Sequence, residues 1–271
     1  MTGEGSVHRP AQRLTAHGGE SLDEIVAEER AVALVYNGIS HAVMMATPCD
    51  LEDFARGFSL TERIVEKASE IYDIEVEDVQ VGSGGRGIEV RLQIAAQRMA
   101  GLQERRRSLA GRTGCGLCGV DSLDAALRPV PPAQAVGTVS RSAIERAMAA
   151  LPGLQRINKL NGATHAAGWA LADGTLIAVR EDVGRHNALD KLGGALAVSG
   201  VTGAGGFVVV TSRCSYEMVQ KAAALGAVAI AAVSAPTSLA IETAEQAGIA
   251  LVAFVRDGRL TVYANAGRIS P

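Results

Sequence analysis

GFVVVTSRCSYEMVQKAAALGAVAIAAVSAPTSLAIETAEQAGIALVAFVRDGRLTVY, residues 206–263, decides the fold. Short apolar runs at 206–211, 228–233 and 249–255 alternate with helical stretches at 216–225 and 237–247, and Asp257-Gly258 then turns the chain into a last strand at 260–263. Strands alternating with helices predict a layered α/β domain, and runs that are apolar throughout mark strands buried on both faces. The turns TSRCS (211–215) and SAPTS (234–238) follow strand ends on the edge where such sheets usually take ligands. Immediately upstream, Arg185 opens a helix, Asp173-Gly174 joins a strand pair, and Ser140 caps a helix over SRSAIERAMAAL. Residues 133–271 are therefore expected to form an α/β domain with a largely parallel sheet and one hairpin edge.

Further out the pattern changes. Asn37-Gly38 separates strands at 31–36 and 39–46, DLEDFARGFSLTERIV (50–65) has helical period with acids in its first turn, and Ile88, Val90, Leu92 and Ile94 alternate with polar residues. Residues 21–105 accordingly read as a small α+β domain, and residues 1–20, rich in Gly, Ser, Pro and charge, as a flexible tail. Arg98, Arg105, Arg106, Arg107 and Arg112 lead into Gly114-Cys115-Gly116-Leu117-Cys118-Gly119, and RPVPP (128–132) reads as a linker, so 106–132 is expected to be a mobile Cys-x-x-Cys loop with its linker.

Composition narrows the functional classes. Of 271 residues, 26 are Lys or Arg and 29 Asp or Glu, a net charge of −3 that argues against a general affinity for nucleic acid or anionic membrane. One Trp, four Tyr and four Phe are too few for base-stacking platforms. Four cysteines in a chain of this length make no disulfide scaffold and suit a reducing, cytoplasmic compartment. Two stretches, 194–211 and 222–241, lack charge, but their Ala and Gly content and the breaks at Gly226, Ser234 and Pro236 indicate buried core, not membrane.

Three segments could carry chemistry. Cys115 and Cys118 lie one turn apart, and nearby arginines favour thiolate, which suits holding and passing on a sulfur atom. A structural zinc site needs a second ligand pair, which the spacing does not supply, so no metal is expected. A zinc deaminase needs His-x-Glu and Pro-Cys-x-x-Cys; none of the five histidines supplies the glutamate, and Gly114 precedes Cys115. REDVGRHNALDK (180–191) reads either as an anion-binding helix start or as an exposed helix laced with ion pairs. Phe254-Val255-Arg256-Asp257-Gly258-Arg259 places two arginines around a tight turn, either a phosphate clamp or an ordinary hairpin. Cys214, at a strand-to-helix turn, reads as part of a binding turn and not as a nucleophile.

Thr47-Pro48 with DLEDFARGF, Cys-Gly-x-Cys-Gly, NGATHAA (161–167), REDVGRHNALDK, SRCSYEMVQKAA, SAPTSLAIETAE and FVRDGRLTVYAN together resemble the formate dehydrogenase accessory sulfurtransferase family, FdhD/NarQ. The resemblance implies a C-terminal three-layer cytidine-deaminase-like α/β domain, without deaminase chemistry, beside the smaller N-terminal α+β domain. It implies a carrier that takes persulfide sulfur from a cysteine desulfurase and delivers it to molybdenum bis-molybdopterin guanine dinucleotide, the cofactor of formate dehydrogenase. Cys115 matches the persulfide-bearing position and Cys118 its partner, while Phe254, Val255, Arg256, Asp257, Gly258 and Arg259 match the stretch that binds the cofactor. It also implies a homodimer. The competing class is a non-enzymatic cofactor-binding chaperone for formate dehydrogenase, in which the thiols are incidental.

Overall fold

The computed structural model describes residues 5–82, 84–109, 137–201 and 205–271. Cys115, Cys118 and the RPVPP linker lie outside the described residues.

Polar cross-strand pairs organise the first element. Strands β1 (Ser6–Thr15) and β2 (Gly18–Ala27) form an antiparallel ribbon in which Arg13 bonds Glu20 at 2.8 Å and Glu24 at 3.0 Å, and His8 meets Asp23 at 2.7 Å. The stretch that reads as a flexible tail is therefore mostly strand. Its residues are exposed on both faces, which removes the burial alternation by which a strand is recognised.

The hairpin of β3 (Arg30–Tyr36) and β4 (Ile39–Ala46) turns at Asn37 and Gly38, both at positive φ as a tight hairpin turn requires. Helix α1 (Leu51–Thr61) follows, then β5 (Ile71–Val81) and β6 (Gly85–Ile94), giving a four-stranded sheet of order β4-β3-β6-β5. Val32, Leu34, Val90 and Leu92 on one face of the sheet pack with Phe54, Ala55 and Phe58 of α1, and with Met99 and Leu102 of α2 (Ala96–Leu109). Helix α2 corrects the expectation of a domain ending at 105 and a loop from 106: the arginine-rich run continues as helix to Leu109.

The remaining elements build a second sheet. After the short β7 (Val139–Ser140), the hydroxyl of Ser140 accepts from the Ala143 N–H and caps α3 (Arg141–Leu154). The one-turn α4 (Asn158–Asn161) leads to β8 (His165–Ala170) and β9 (Leu176–Asp182), and then come α5 (Arg185–Ser199), β10 (Phe207–Val210), α6 (Tyr216–Ala224), β11 (Ala229–Ala232), α7 (Ser238–Ala247), β12 (Ala250–Arg256), β13 (Arg259–Ala264) and β14 (Ile269–Ser270). The order is β13-β12-β11-β10-β8-β9. Only β10–β11 and β11–β12 are parallel; β8 runs antiparallel to both β9 and β10. The sheet is thus mixed, with hairpins at both edges and not one. Phe207, Val209, Ala231 and Val252 face Ile144, Ala147 and Leu151 of α3, while Val208, Val210, Ile230 and Leu251 face Leu189, Met218 and Ala244 of α5, α6 and α7. Helices on both faces make three layers.

Helix α1 touches both sheets. Its apolar side seals the four-stranded sheet, and Gly57 on its other side meets α5 so closely that a Cβ there would stand 1.7 Å from the Asp190 carbonyl oxygen. Gly194 returns the contact, with its hypothetical Cβ 1.9 Å from the Asp53 carbonyl oxygen. Gly57 and Gly194 are required for two backbones to approach.

Candidate functional site

Strands β10, β11 and β12 all run toward one edge of the six-stranded sheet. The turns that leave it are joined by backbone hydrogen bonds: Cys214 N–H to Ala235 O at 3.1 Å, Thr237 N–H to Cys214 O at 3.0 Å, and Phe254 N–H to Ser234 O at 3.4 Å. Because β8 is antiparallel to β10 and β9 to β8, His165 and Asp182 lie at this same edge, where they are register partners. The edge therefore runs from the start of α5, past 211–215 and 234–238, to the 254–259 hairpin.

At the hairpin end, the carbonyl-side ladder of β12 is broken by a register shift between Ala253 and Arg256, with Phe254 at φ 53°. Asp257 and Gly258, at φ 53° and 68°, make the tight turn. Arg256 and Arg259 are then direct cross-strand partners, a placement that sends both side chains to one face. Like charges in that relation repel, and among the described residues neither arginine has an ion-pair partner. The Arg256 guanidinium instead sits 5.8 Å from the centre of the Phe254 ring, which itself lies 6.5 Å from the Tyr263 ring. Val255 is buried and anchors the hairpin, while Arg256, Asp257, Gly258 and Arg259 are exposed. An anion placed between the two guanidiniums would relieve their repulsion.

At the α5 end, the charged motif 180–191 divides into two sets. Asp182 and Lys191 form an ion pair at 2.7 Å with both side chains wholly buried; Asp182 also accepts from the Thr47 N–H at 3.0 Å and the Gly184 N–H at 2.7 Å, and Lys191 donates to Thr47 O at 2.9 Å. Asn187 donates to Met45 O at 2.8 Å, and Arg180 grips Asp53 at 2.7 Å. Asp190 accepts from Thr61 at 2.6 Å and from Lys221 at 2.8 Å, and Lys221 also reaches Glu62 at 2.8 Å. Burial by itself would push the Lys221 ammonium toward neutrality, but Asp190 and Glu62 hold it charged, above its usual range. The contacts to Met45, Thr47, Asp53 and Thr61 tie α5 or β9 to the N-terminal segment. Ion pairing therefore holds for Asp182, Asp190 and Lys191, but the expectation of an exposed helix is corrected: these pairs are buried where α5 packs against α1.

Arg185 and His186 form the second set. His186 Nε2 lies 3.0 Å from Glu217 and 3.4 Å from the Ser215 hydroxyl, which donates to Glu217 at 3.1 Å. That hydrogen bond from His186 holds the Glu217 carboxyl below its ordinary range against the opposing effect of burial. Half-burial, reinforced by Arg185, lowers the pKa of His165. The first turn of α5 has no acidic residue and no side-chain cap. Cys214 is fully buried, and burial pushes its thiol up to about 12, so it stays protonated and unreactive. That matches its reading as part of a turn.

Sequence reasoning gave no role to His165, Arg185 or Glu217 individually, although each stands inside a motif that drew attention. Among the described residues no cluster of three or more His, Cys, Asp or Glu is placed to hold a metal ion, and no helix is long and apolar enough to cross a membrane.

A mixed sheet with helices on both faces, clasped to a smaller α+β sheet, defines a class: a layered α/β protein. The FdhD/NarQ family model matches residues 27–270, and the chain belongs to this family. Among similar proteins is one from Cupriavidus necator, 57% identical over 249 residues, covering 92% of this chain and 84% of the relative. Another, from Bordetella petrii, is 50% identical over 252 residues, covering 93% and 89%. Both bear the name sulfur carrier protein FdhD. The fold also matches the crystal structure of a protein assigned as a formate dehydrogenase accessory protein from Desulfotalea psychrophila, with a TM-score of 0.74 at 24% identity over 98% of this chain and 99% of that one.

Proposed function

We propose that this protein is a cytoplasmic sulfurtransferase that accepts persulfide sulfur from a cysteine desulfurase and transfers it to molybdenum bis-molybdopterin guanine dinucleotide for formate dehydrogenase. The observation that carries the sulfur-carrier reading is the identity of up to 57% to relatives of that name, in a chain that contains Cys115-Gly-Leu-Cys118. The Cys115 thiolate attacks the terminal sulfur of the donor persulfide and displaces the donor thiolate, leaving Cys115–S–S⁻. Releasing that sulfur as sulfide requires two electrons. Attack by Cys118 on the Cys115 sulfur supplies them, and a Cys115–Cys118 disulfide remains for reduction.

The cofactor is the substrate of this reaction, a polyanion, and the 254–259 hairpin is its binding stretch. Support for that assignment is the facing pair Arg256 and Arg259, whose mutual repulsion a phosphate group would relieve. The three-layer part is read as cytidine-deaminase-like, retaining the layered sheet without the deaminase ligands, and the active unit as a homodimer.

Mass spectrometry after desulfurase turnover tests the carrier step: a gain of about 32 Da, one sulfur, on Cys115 is expected, together with its loss in Cys115→Ala. A wild-type protein that stays unmodified while still supporting formate dehydrogenase would establish the chaperone reading instead.

A further inference from the structure

The four-stranded sheet has a second face, turned away from α1 and α2. Register partners share a face, and on this one Ala31 stands opposite Met45 and Gly87, Ala33 opposite Val43, and Val79 opposite Gly87. Val43 and Met45 are 59% and 52% exposed, Ala31, Ala33 and Val79 are half-buried, and none of the five belongs to a core cluster of the described residues. The next rows of the same face are charged. Glu77 stands directly opposite Glu89, and Glu75 opposite Arg91. Arg91 answers all three carboxylates, reaching Glu77 at 2.6 Å and Glu89 at 2.8 Å. Like charges placed opposite each other destabilise a sheet, so the Glu77–Glu89 pair would be relieved by further cations.

An open apolar patch beside a charged rim has the anatomy of a protein contact. We propose that this face docks the acceptor protein, formate dehydrogenase, through a contact surface with an apolar centre flanked by Lys or Arg side chains. Charge complementarity sets the chemistry of the partner: Glu75, Glu77 and Glu89 outnumber Arg91, so the matching rim is basic. Continuity with the ligand edge sets which partner it is. The Met45 carbonyl accepts from the Asn187 side chain at 2.8 Å, so the apolar end of the face adjoins the start of α5, where that edge begins. This inference rests on the cofactor-handling reading. A cofactor held along the edge must pass directly into its acceptor, which therefore has to sit against the neighbouring surface, whereas the sulfur donor needs only to meet Cys115.

Surface plasmon resonance with immobilised formate dehydrogenase, purified without its cofactor, and the full chain in solution tests the docking. Val43→Ser/Met45→Ser is expected to weaken binding by about tenfold or more. Glu75→Lys/Glu77→Lys is expected to slow association by about tenfold at low salt and to change it little at about 0.5 M salt, where exposed charges are screened. All four side chains are exposed, so thermal unfolding midpoints are expected to match wild type. Wild-type protein that does not bind, or both variants binding as wild type does, would overturn the surface. Loss of desulfurase binding with formate dehydrogenase binding intact would give the face to the donor, and loss of self-association alone would give it to a second copy; either result overturns the assignment. The mass gain on Cys115, read on the same preparations, separates the two readings: its absence in wild type breaks the sulfur-carrier function, whereas its presence with docking unchanged in the variants breaks only this surface.

Discussion

Two sets of charges on and beside helix α5 differ in burial and in the number of partners that hold them. Asp182, Asp190 and Lys191 are buried and carry more than one partner each, among them bonds that join β9 and the helix to Thr47, Thr61 and Lys221. Arg185, His186 and His165, on the edge side, are half-buried and held by few contacts, with a guanidinium donor unspent. The same motif is thus buried architecture on one side and a sparsely bonded rim on the other.

The largest effects should come from breaking the buried set. Lys191→Met leaves Asp182 charged without its counter-ion, and Asp182→Asn does the reverse; each should lower unfolding free energy by about 3–5 kcal/mol in urea denaturation. A loss under 1 kcal/mol in both would mean the pair is dispensable. Gly57→Ala follows, because its methyl would collide with backbone at Asp190 and not with a movable side chain. A loss of about 1–3 kcal/mol or more is expected, against a gain of about 0.5–1 kcal/mol for Gly153→Ala, where a methyl meets nothing within 4 Å.

Acid should act first on the edge set. Burial depresses the pKa of His165, so below about 6.5 the unfolded chain takes up a proton that the folded chain refuses. Stability is then complete above that pH and declines as pH falls toward the lower folded value. Wild-type protein should lose more stability between about pH 7.5 and 5.5 than His165→Gln does. Glu217 has a depressed pKa through its hydrogen bond from His186, so its contribution is present above the ordinary carboxylate range and disappears only as pH falls through the lower folded value. The smallest effect is on Arg185. Removing an unpaired donor should shift stability by no more than about 0.5 kcal/mol in thermal or urea unfolding, and a loss of 3 kcal/mol would place Arg185 with the architectural set.

Legibility in the sequence followed burial. The hairpin at Asn37-Gly38, the helix at 51–61 and the alternation over 206–263 were readable because turn chemistry and apolar period coincide with what is buried. The β1–β2 ribbon was not, since a strand pair held by Arg13, Glu20 and Glu24 and wet on both faces has no apolar period. Helix α2 was hidden by its arginines, which suggest an exposed loop, although Met99 and Leu102 pack into the core. The sequence shows a strand pair about Asp173-Gly174, but only the pairing reveals that β8 of that hairpin joins β10 antiparallel and so makes the sheet mixed. At the site, the motif 180–191 was visible as a unit, but which of its charges face inward depends on α1, more than a hundred residues earlier.

The crossing of α1 over α5 also governs how the chain folds. The Arg180–Asp53 bond closes a separation of 127 residues, and the Lys191–Thr47 bond one of 144. Contacts so distant along the chain require a large loop to close before they contribute, which makes assembly slow compared with local helix formation. During synthesis the four-stranded sheet emerges first, with Gly57 and the carboxylate of Asp53 waiting for a helix not yet made. The N-terminal half therefore gains its contacts at Thr47, Asp53 and Gly57 only when residues 180–194 arrive.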